Sequence, residues 1–189
     1  MKLTKLPLVA ALSLLVLSSN AWAQSTKRLI DEVNPFIGTS NFGTTNPGAV
    51  VPNGLMSITP FNVSGSPELN KFDKDKRWWS TPYTADNKFF SGFSHVNLSG
   101  VGCPELGSII VSASAGDLNV DYTHYGSAMS QEKAHPGYYS VQLDKHKIKA
   151  EVTATQRTAV SAFTFERGGK SNILVNLGLG LTNESGATV

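Results

Sequence analysis

Apolar and polar residues trade places most strictly at 147–154, where Ile148, Ala150, Val152 and Ala154 alternate with Lys147, Lys149, Glu151 and Thr153. Successive side chains of a strand point to opposite faces, so this period of two predicts a half-buried strand. Tyr139, Val141 and Leu143 repeat the pattern, and the short polar link Asp144-Lys145-His146-Lys147 between the two runs predicts a hairpin. No Asn-Gly or Asp-Gly fixes its turn type. Further strand candidates at 49–59, 107–113, 159–166 and 172–177 are each bounded by turn residues, and Arg167-Gly168-Gly169-Lys170 supplies a turn between the last two. The 17 glycines and 9 prolines break the remaining windows, and none keeps a helical period. Short strands at roughly ten-residue spacing, with no helix among them, predict an all-β fold, an antiparallel β-sandwich or barrel. The run from Leu174 to Leu181 reads as a strand still in progress, and the residues after it offer no closing strand. The sandwich is therefore expected to be incomplete at its C-terminal end, with an open edge that complete sheets usually cover.

The first 23 residues change the picture of the compartment. Lys2 and Lys5 precede an apolar run ending at Leu17, and Ala21-Trp22-Ala23 gives a small-x-small cleavage pattern before Gln24. Residues 1–23 thus read as a secretory signal cleaved after Ala23, leaving 24–189 as a periplasmic or secreted domain. The apolar run is about 12 residues, short of the roughly 20 that span a bilayer, and no cysteine stands near the cleavage site, so no membrane or lipid anchor is expected. Lys and Arg number 16 against 14 Asp and Glu, and two of the lysines leave with the signal. That balance argues against a nucleic-acid partner held by phosphate neutralisation. With 40% hydrophobic and 16% charged residues the chain can build a core, and a single cysteine, Cys103, excludes an internal disulfide framework and a cysteine-rich zinc site.

Three clusters carry candidate chemistry. The glycine-dense stretch between Val33 and Gly54 lets backbone approach backbone or a ligand, yet it lacks the Gly-Lys-Ser/Thr ending of a phosphate loop. Trp78 and Trp79 stand side by side in a polar loop, where an indole can serve as a platform for the apolar face of a sugar; both cannot face one direction, and one is expected in the core. His95 and Asn97, two apart, would share a strand face and offer donors and acceptors together, although a lone histidine is commonly structural. Cys103 has no basic neighbour to activate it and reads as inert. His124, His135 and His146 are too widely spaced for one zinc site, and Asp73 with Asp75, the nearest carboxylate pair, lies in a lysine-rich loop that solvation explains.

Taken together, Val33-Asn-Pro-Phe-Ile-Gly, Pro47-Gly-Ala-x-Val-Pro-Asn-Gly, Gly92-Phe-Ser-His-x-x-Leu-Ser-Gly, Pro104-Glu-Leu-Gly and His135-Pro-Gly-Tyr-Tyr-Ser-Val resemble the N-terminal domain of family 92 glycoside hydrolases in order and spacing. The resemblance implies an exported, calcium-dependent, exo-acting and inverting α-mannosidase working on mannose-containing glycans such as N-glycans. It implies two domains, a β-sandwich and a larger helical (α/α)-barrel, with the active site between them. The catalytic acid, the catalytic base and the calcium ligands would belong to the barrel beyond Val189, so no catalytic and no metal residue is assigned in this chain, which alone would be inactive and bind no calcium. Trp78, Trp79, His95 and Asn97 are the substrate-binding candidates that the resemblance leaves to the sandwich. Many members carry His where Asn97 stands, which bears on linkage preference. Two alternatives remain at this stage, a free-standing carbohydrate-binding sandwich and a structural domain that docks a separately encoded barrel.

Overall fold

The structure, a computed structural model, describes residues 28–41, 43–63, 81–100, 102 and 106–181, so the predicted signal at 1–23 lies outside the described residues. The chain divides into two compact units, 1–32 and 33–189. In the first, the described residues form a single 3-10 turn, Leu29–Glu32, beside which Arg28 Nη2 lies 2.9 Å from Asp31 Oδ1.

The described residues of the second unit hold ten strands: β1 (Ala49–Val50), β2 (Ser57–Phe61), β3 (Phe89–Phe90), β4 (Gly92–Asn97), β5 (Leu106–Ala115), β6 (Ser127–His135), β7 (Tyr138–Leu143), β8 (Ile148–Ala154), β9 (Ala159–Phe165) and β10 (Ser171–Asn176). They make two five-stranded sheets of order β1-β2-β4-β5-β10 and β3-β6-β7-β8-β9, in which every pairing is antiparallel. One core cluster draws on both: Ala49, Ile58, Phe93 and Ala113 from the first sheet meet Met129, Tyr139, Val141, Leu143, Ile148, Ala150 and Val152 from the second. The fold is an all-β sandwich. Phe93 sits at the centre of the contact, edge-on to Phe90 (centroids 4.9 Å apart, 72°) and to Tyr139 (6.1 Å, 80°). Each large side chain buried there contributes roughly 1.5–3 kcal/mol of transfer free energy, and the edge-to-face geometry adds specificity.

The strict alternation at 139–154 became the inner face of the β7–β8 hairpin, with Leu143 opposite Ile148 and Tyr139 opposite Val152. Elsewhere the reading needs correction. The run 49–59 is two strands rather than one, because Pro52-Asn53-Gly54 makes a reversal with Asn53 at φ +58° and β1 folds back on β2, Ala49 opposite Ile58. The turn expected at 167–170 does lie between the last two strands, and it carries the chain from the second sheet to the first, where β10 pairs with β5. The strand at 174–181 stops at Asn176, whose Oδ1 accepts the N–H groups of Gly178 and Leu179, both at 2.9 Å. Leu179 and Leu181 then turn inward onto Phe61, Val63 and Ile110 in a second core cluster. A single helical turn, Tyr122–Tyr125, interrupts the strands, N-capped by Asp121.

Candidate functional site

The described parts of the three regions singled out by their residues are joined by hydrogen bonds beside the first sheet. In the first, Asn46 Oδ1 accepts from Thr59 Oγ1 at 2.8 Å and from the Gly48 N–H at 3.3 Å, tying the loop to β2. A Cβ on Gly48 would lie 2.0 Å from Thr59 Oγ1, and one on Gly43 would lie 1.9 Å from the Gly38 carbonyl oxygen, so glycine at these positions lets chain pack on chain. The loop then reaches both neighbours. Thr39 O accepts from the Ala85 N–H (2.8 Å), Asp86 Oδ2 from the Asn41 N–H (3.1 Å), and Thr44 O from the Gly100 N–H (2.7 Å).

The second loop is anchored at its base by two asparagines that sequence reasoning missed. Asn62 is fully buried, and its side-chain Nδ2 donates to Thr84 O (2.8 Å) and Asn87 O (2.6 Å) while its Oδ1 accepts the Thr84 N–H (2.8 Å). Asn87, also fully buried, donates back from Nδ2 to Asn62 O at 2.5 Å, and Asn62 N–H donates to Pro82 O at 2.9 Å. The limbs on either side of residues 64–80 are thus closed by a reciprocal amide clasp. Trp78 and Trp79, the predicted sugar platform, lie outside the described residues, as do Asp73, Asp75 and Cys103.

The third loop follows β4. Between Phe93 and His95 the facing strand β5 carries an extra residue, a β-bulge in which Ile109 adopts φ +56°. Its carbonyl oxygen sits 2.7 Å from His95 Nδ1. A carbonyl can only accept, so Nδ1 bears the proton, and Nε2 of the neutral ring is left as an acceptor without a partner among the described residues. Asn97 behaves differently. Val96, at φ +55°, separates it from His95, and its amide turns back into the protein: Oδ1 accepts from Ser94 Oγ at 2.7 Å, and Nδ2 donates to Ser94 O at 3.0 Å. His95 thus keeps an acceptor without a partner among the described residues, while the amide of Asn97 is bonded to Ser94 and, at 3.4 Å, to Ser57 Oγ of β2.

The remaining histidines have separate structural partners: His124 lies against Asp121, His135 stacks on Tyr138 (4.7 Å, 11°), and His146 bridges the Ala115 N–H and Tyr125 O. Among the described residues no three His, Cys, Asp or Glu side chains gather as metal ligands. A second bulge turns Glu132 of β6 inward, since Ser130 faces Gln142 and Lys133 faces Ser140 with one residue too many between them. There its carboxylate accepts from Tyr83 Oη (2.7 Å), Tyr139 Oη (2.8 Å) and Lys88 Nζ (2.5 Å). The limb that follows residues 64–80 is thereby bolted to the second sheet.

Burial, and then the Glu132 charge beside them, hold the Tyr83 and Tyr139 phenols protonated well beyond the usual tyrosine range; burial raises Tyr125 as well. Their folded values exceed the unfolded one, so this stability is full below about pH 10 and is lost as pH rises above it, at roughly 1.4 kcal/mol per pH unit for each group. In an alkaline titration the phenolate absorbance of these tyrosines is expected to appear together with the loss of the far-ultraviolet strand signal, not before it.

Residues 32–189 match the family model described as the glycosyl hydrolase family 92 N-terminal domain. The chain belongs to that family. It is 28% identical over 178 residues, 87% of this chain, to an uncharacterized secreted glycosidase of Arthroderma benhamiae. Among solved structures, the family 92 α-mannosidase BT3965 of Bacteroides thetaiotaomicron superposes on 80% of this chain with a TM-score of 0.69 and 29% identity, and the family 92 glycosyl hydrolase ccman5 on 81% with a TM-score of 0.65 and 28% identity. The chain spans about a fifth of the length of each, 21%, 20% and 21% respectively. This family 92 domain is thus similar to a portion of much longer glycosidases. Among its described residues no helix is long and apolar enough to cross a membrane.

Proposed function

We propose that the chain is the first domain of an exported, exo-acting α-mannosidase and that it supplies loop residues to one wall of the sugar pocket, the catalytic machinery standing on a helical barrel outside this chain. The observation that carries the reading is the family match over residues 32–189, and the likeness to an α-mannosidase of known structure supports the substrate class. The reading of 1–23 as a signal and the secreted relative support export. Within the pocket His95 Nε2 accepts a hydrogen bond from a mannose hydroxyl, while one of Trp78 and Trp79 offers a ring face.

Inversion needs one carboxylic acid to protonate the leaving oxygen and one carboxylate to activate water, roughly 6.5–9.5 Å apart. Among the described residues, the inward-turned carboxylate of Glu132 is already held by three donors, which supports placing both catalytic groups on the barrel. Calcium belongs there too in this reading, as the family resemblance implies, and no step is assigned to it here. The test is direct. The purified chain is expected to leave 4-nitrophenyl α-mannoside intact with or without calcium, yet millimolar α-mannobiose should shift the ring resonances of His95. Hydrolysis by the chain alone, or no response of His95, would overturn the assignment.

A further inference from the structure

The outer face of the second sheet carries a depression of about 140 Å³ that the mannosidase reading does not use. Because Tyr139, Val141 and Leu143 point into the core, Tyr138, Ser140 and Gln142 stand on the opposite face of β7. The cross-strand register sets Lys133 of β6 opposite Ser140 and Lys149 of β8 opposite Gln142. The small serine between larger neighbours makes the floor, and the bulged Gln131, at φ +52°, makes part of the rim.

Three polar groups here are unspent. Ser140 is only 3% exposed, and its hydroxyl has no hydrogen-bond partner among the described residues; neither do the Gln131 amide and the Lys133 ammonium. A buried hydroxyl without a partner needs an explanation. Of the two lysines that line it, Lys149 is paired, its Nζ 2.9 Å from Glu151 Oε1, and Glu166 Oε1, which accepts from Gln142 Nε2 at 3.0 Å, brings a second carboxylate beside the rim. Glu151 also accepts from Tyr138 Oη at 2.5 Å, which fixes that ring at the side of the depression with His135 stacked on it. A ligand for this place must offer donors and acceptors together, carry no net charge and present an apolar edge to an aromatic ring. A pyranose meets all three demands, since each hydroxyl both gives and takes a hydrogen bond and the ring carries apolar C–H groups.

We infer that this depression is a second, non-catalytic binding site for a neutral hexose residue of a glycan, on the sheet opposite to the one that carries His95. The Ser140 hydroxyl, the Gln131 amide and Lys133 hold its hydroxyls, and the Tyr138 ring packs at its edge. The site would keep a glycan chain on the domain independently of the pocket where a bond is cleaved.

Nitrogen-15 spectra of the full chain, titrated separately with methyl α-mannoside, methyl β-galactoside, N-acetylglucosamine and glucuronate, test this. At least one neutral sugar is expected to shift the Gln131 and Gln142 side-chain amides and the Ser140 backbone amide, saturating in the millimolar range. Ser140→Ala and Lys133→Ala should each weaken that binding about fivefold, the usual cost of one lost hydrogen bond. The exposed Lys133→Ala change keeps the test alive if the core-adjacent Ser140→Ala variant folds poorly, and His95→Ala should leave these shifts intact. No response of these amides to any neutral sugar, or a stronger response to glucuronate, overturns the proposal. Shifts confined to His95 would do so as well while leaving the mannosidase reading standing.

Discussion

Replacing Asn62 by alanine is expected to destabilise the domain by about 3 kcal/mol, which for a chain of this length lowers the melting temperature by roughly 6–12 °C. The substitution removes one carboxamide and strands three backbone groups at once: the Thr84 N–H loses its acceptor, and the carbonyls of Thr84 and Asn87 lose their donor. All three bonds are buried, so water does not readily replace them, and an unsatisfied buried group costs about 1–3 kcal/mol. The orphaned carbonyls cost less than the orphaned N–H, because a carbonyl with two lone pairs tolerates under-satisfaction better. Asn62→Asp makes the argument sharper. An aspartate keeps the acceptor for Thr84 but points a carboxylate oxygen at two carbonyl oxygens in a fully buried place, so it should be worse than alanine at neutral pH and recover toward it in acid. Asn87→Ala removes a single side-chain donor and the acceptor for Phe89 N–H, and a smaller loss of about 1–2 kcal/mol is expected. Urea unfolding of the three variants checks the ranking; an Asn62→Ala protein as stable as the wild type would mean that the clasp is not what closes the base of residues 64–80.

The hairpin and its neighbours were legible because two-residue periodicity and burial are one fact seen twice. Ile148, Ala150 and Val152 alternate with charges in the chain and are buried in the fold. β6 was not legible for an equally physical reason. Its bulge shifts the phase of inside and outside between Ser130 and Lys133, so Glu132 stands inward where the pattern Ser-Gln-Glu-Lys reads as uniformly exposed. β3 and β4 are short and lie among small polar residues, and Ser91 and Ser94 are fully buried although their type says surface. At the candidate site the sequence motifs singled out His95 and Asn97 by spacing alone, while their surroundings came from geometry. His95 and Asn97 are two apart and look equivalent, yet a positive φ at Val96 and the Ile109 bulge give one a free acceptor and spend the other. The asparagine clasp was not legible as a pair, because its two halves stand 25 residues apart.

The second large effect is expected at Glu132. Glu132→Leu should cost about 3 kcal/mol, because it leaves the hydroxyls of Tyr83 and Tyr139 buried with no acceptor, whereas Lys88, half exposed, returns to water. Glu132→Gln should fall between, since one amide oxygen still accepts while the amide nitrogen meets donors. The decisive measurement is the rescue. Hydrogen bonds in a protein interior are costly chiefly when one partner is left alone, and replacing both partners by apolar groups of similar shape is nearly neutral. Adding Tyr83→Phe and Tyr139→Phe to Glu132→Leu should therefore recover most of the lost stability, although Tyr83→Phe and Tyr139→Phe on their own each cost about 1 kcal/mol. If the triple variant is as unstable as Glu132→Leu, the carboxylate acts through packing and not through the tyrosines. If rescue succeeds, the inward turn of β6 is a polar bolt with an apolar equivalent. Its value would then lie in fixing where the limb after residues 64–80 sits: Tyr83 stands two residues before Ala85 and three before Asp86, the contacts that hold the first loop beside it. The same triple variant should also titrate differently in alkali, because Tyr83 and Tyr139, which resist ionisation in the fold, are gone and the stability lost above about pH 10 shrinks with them.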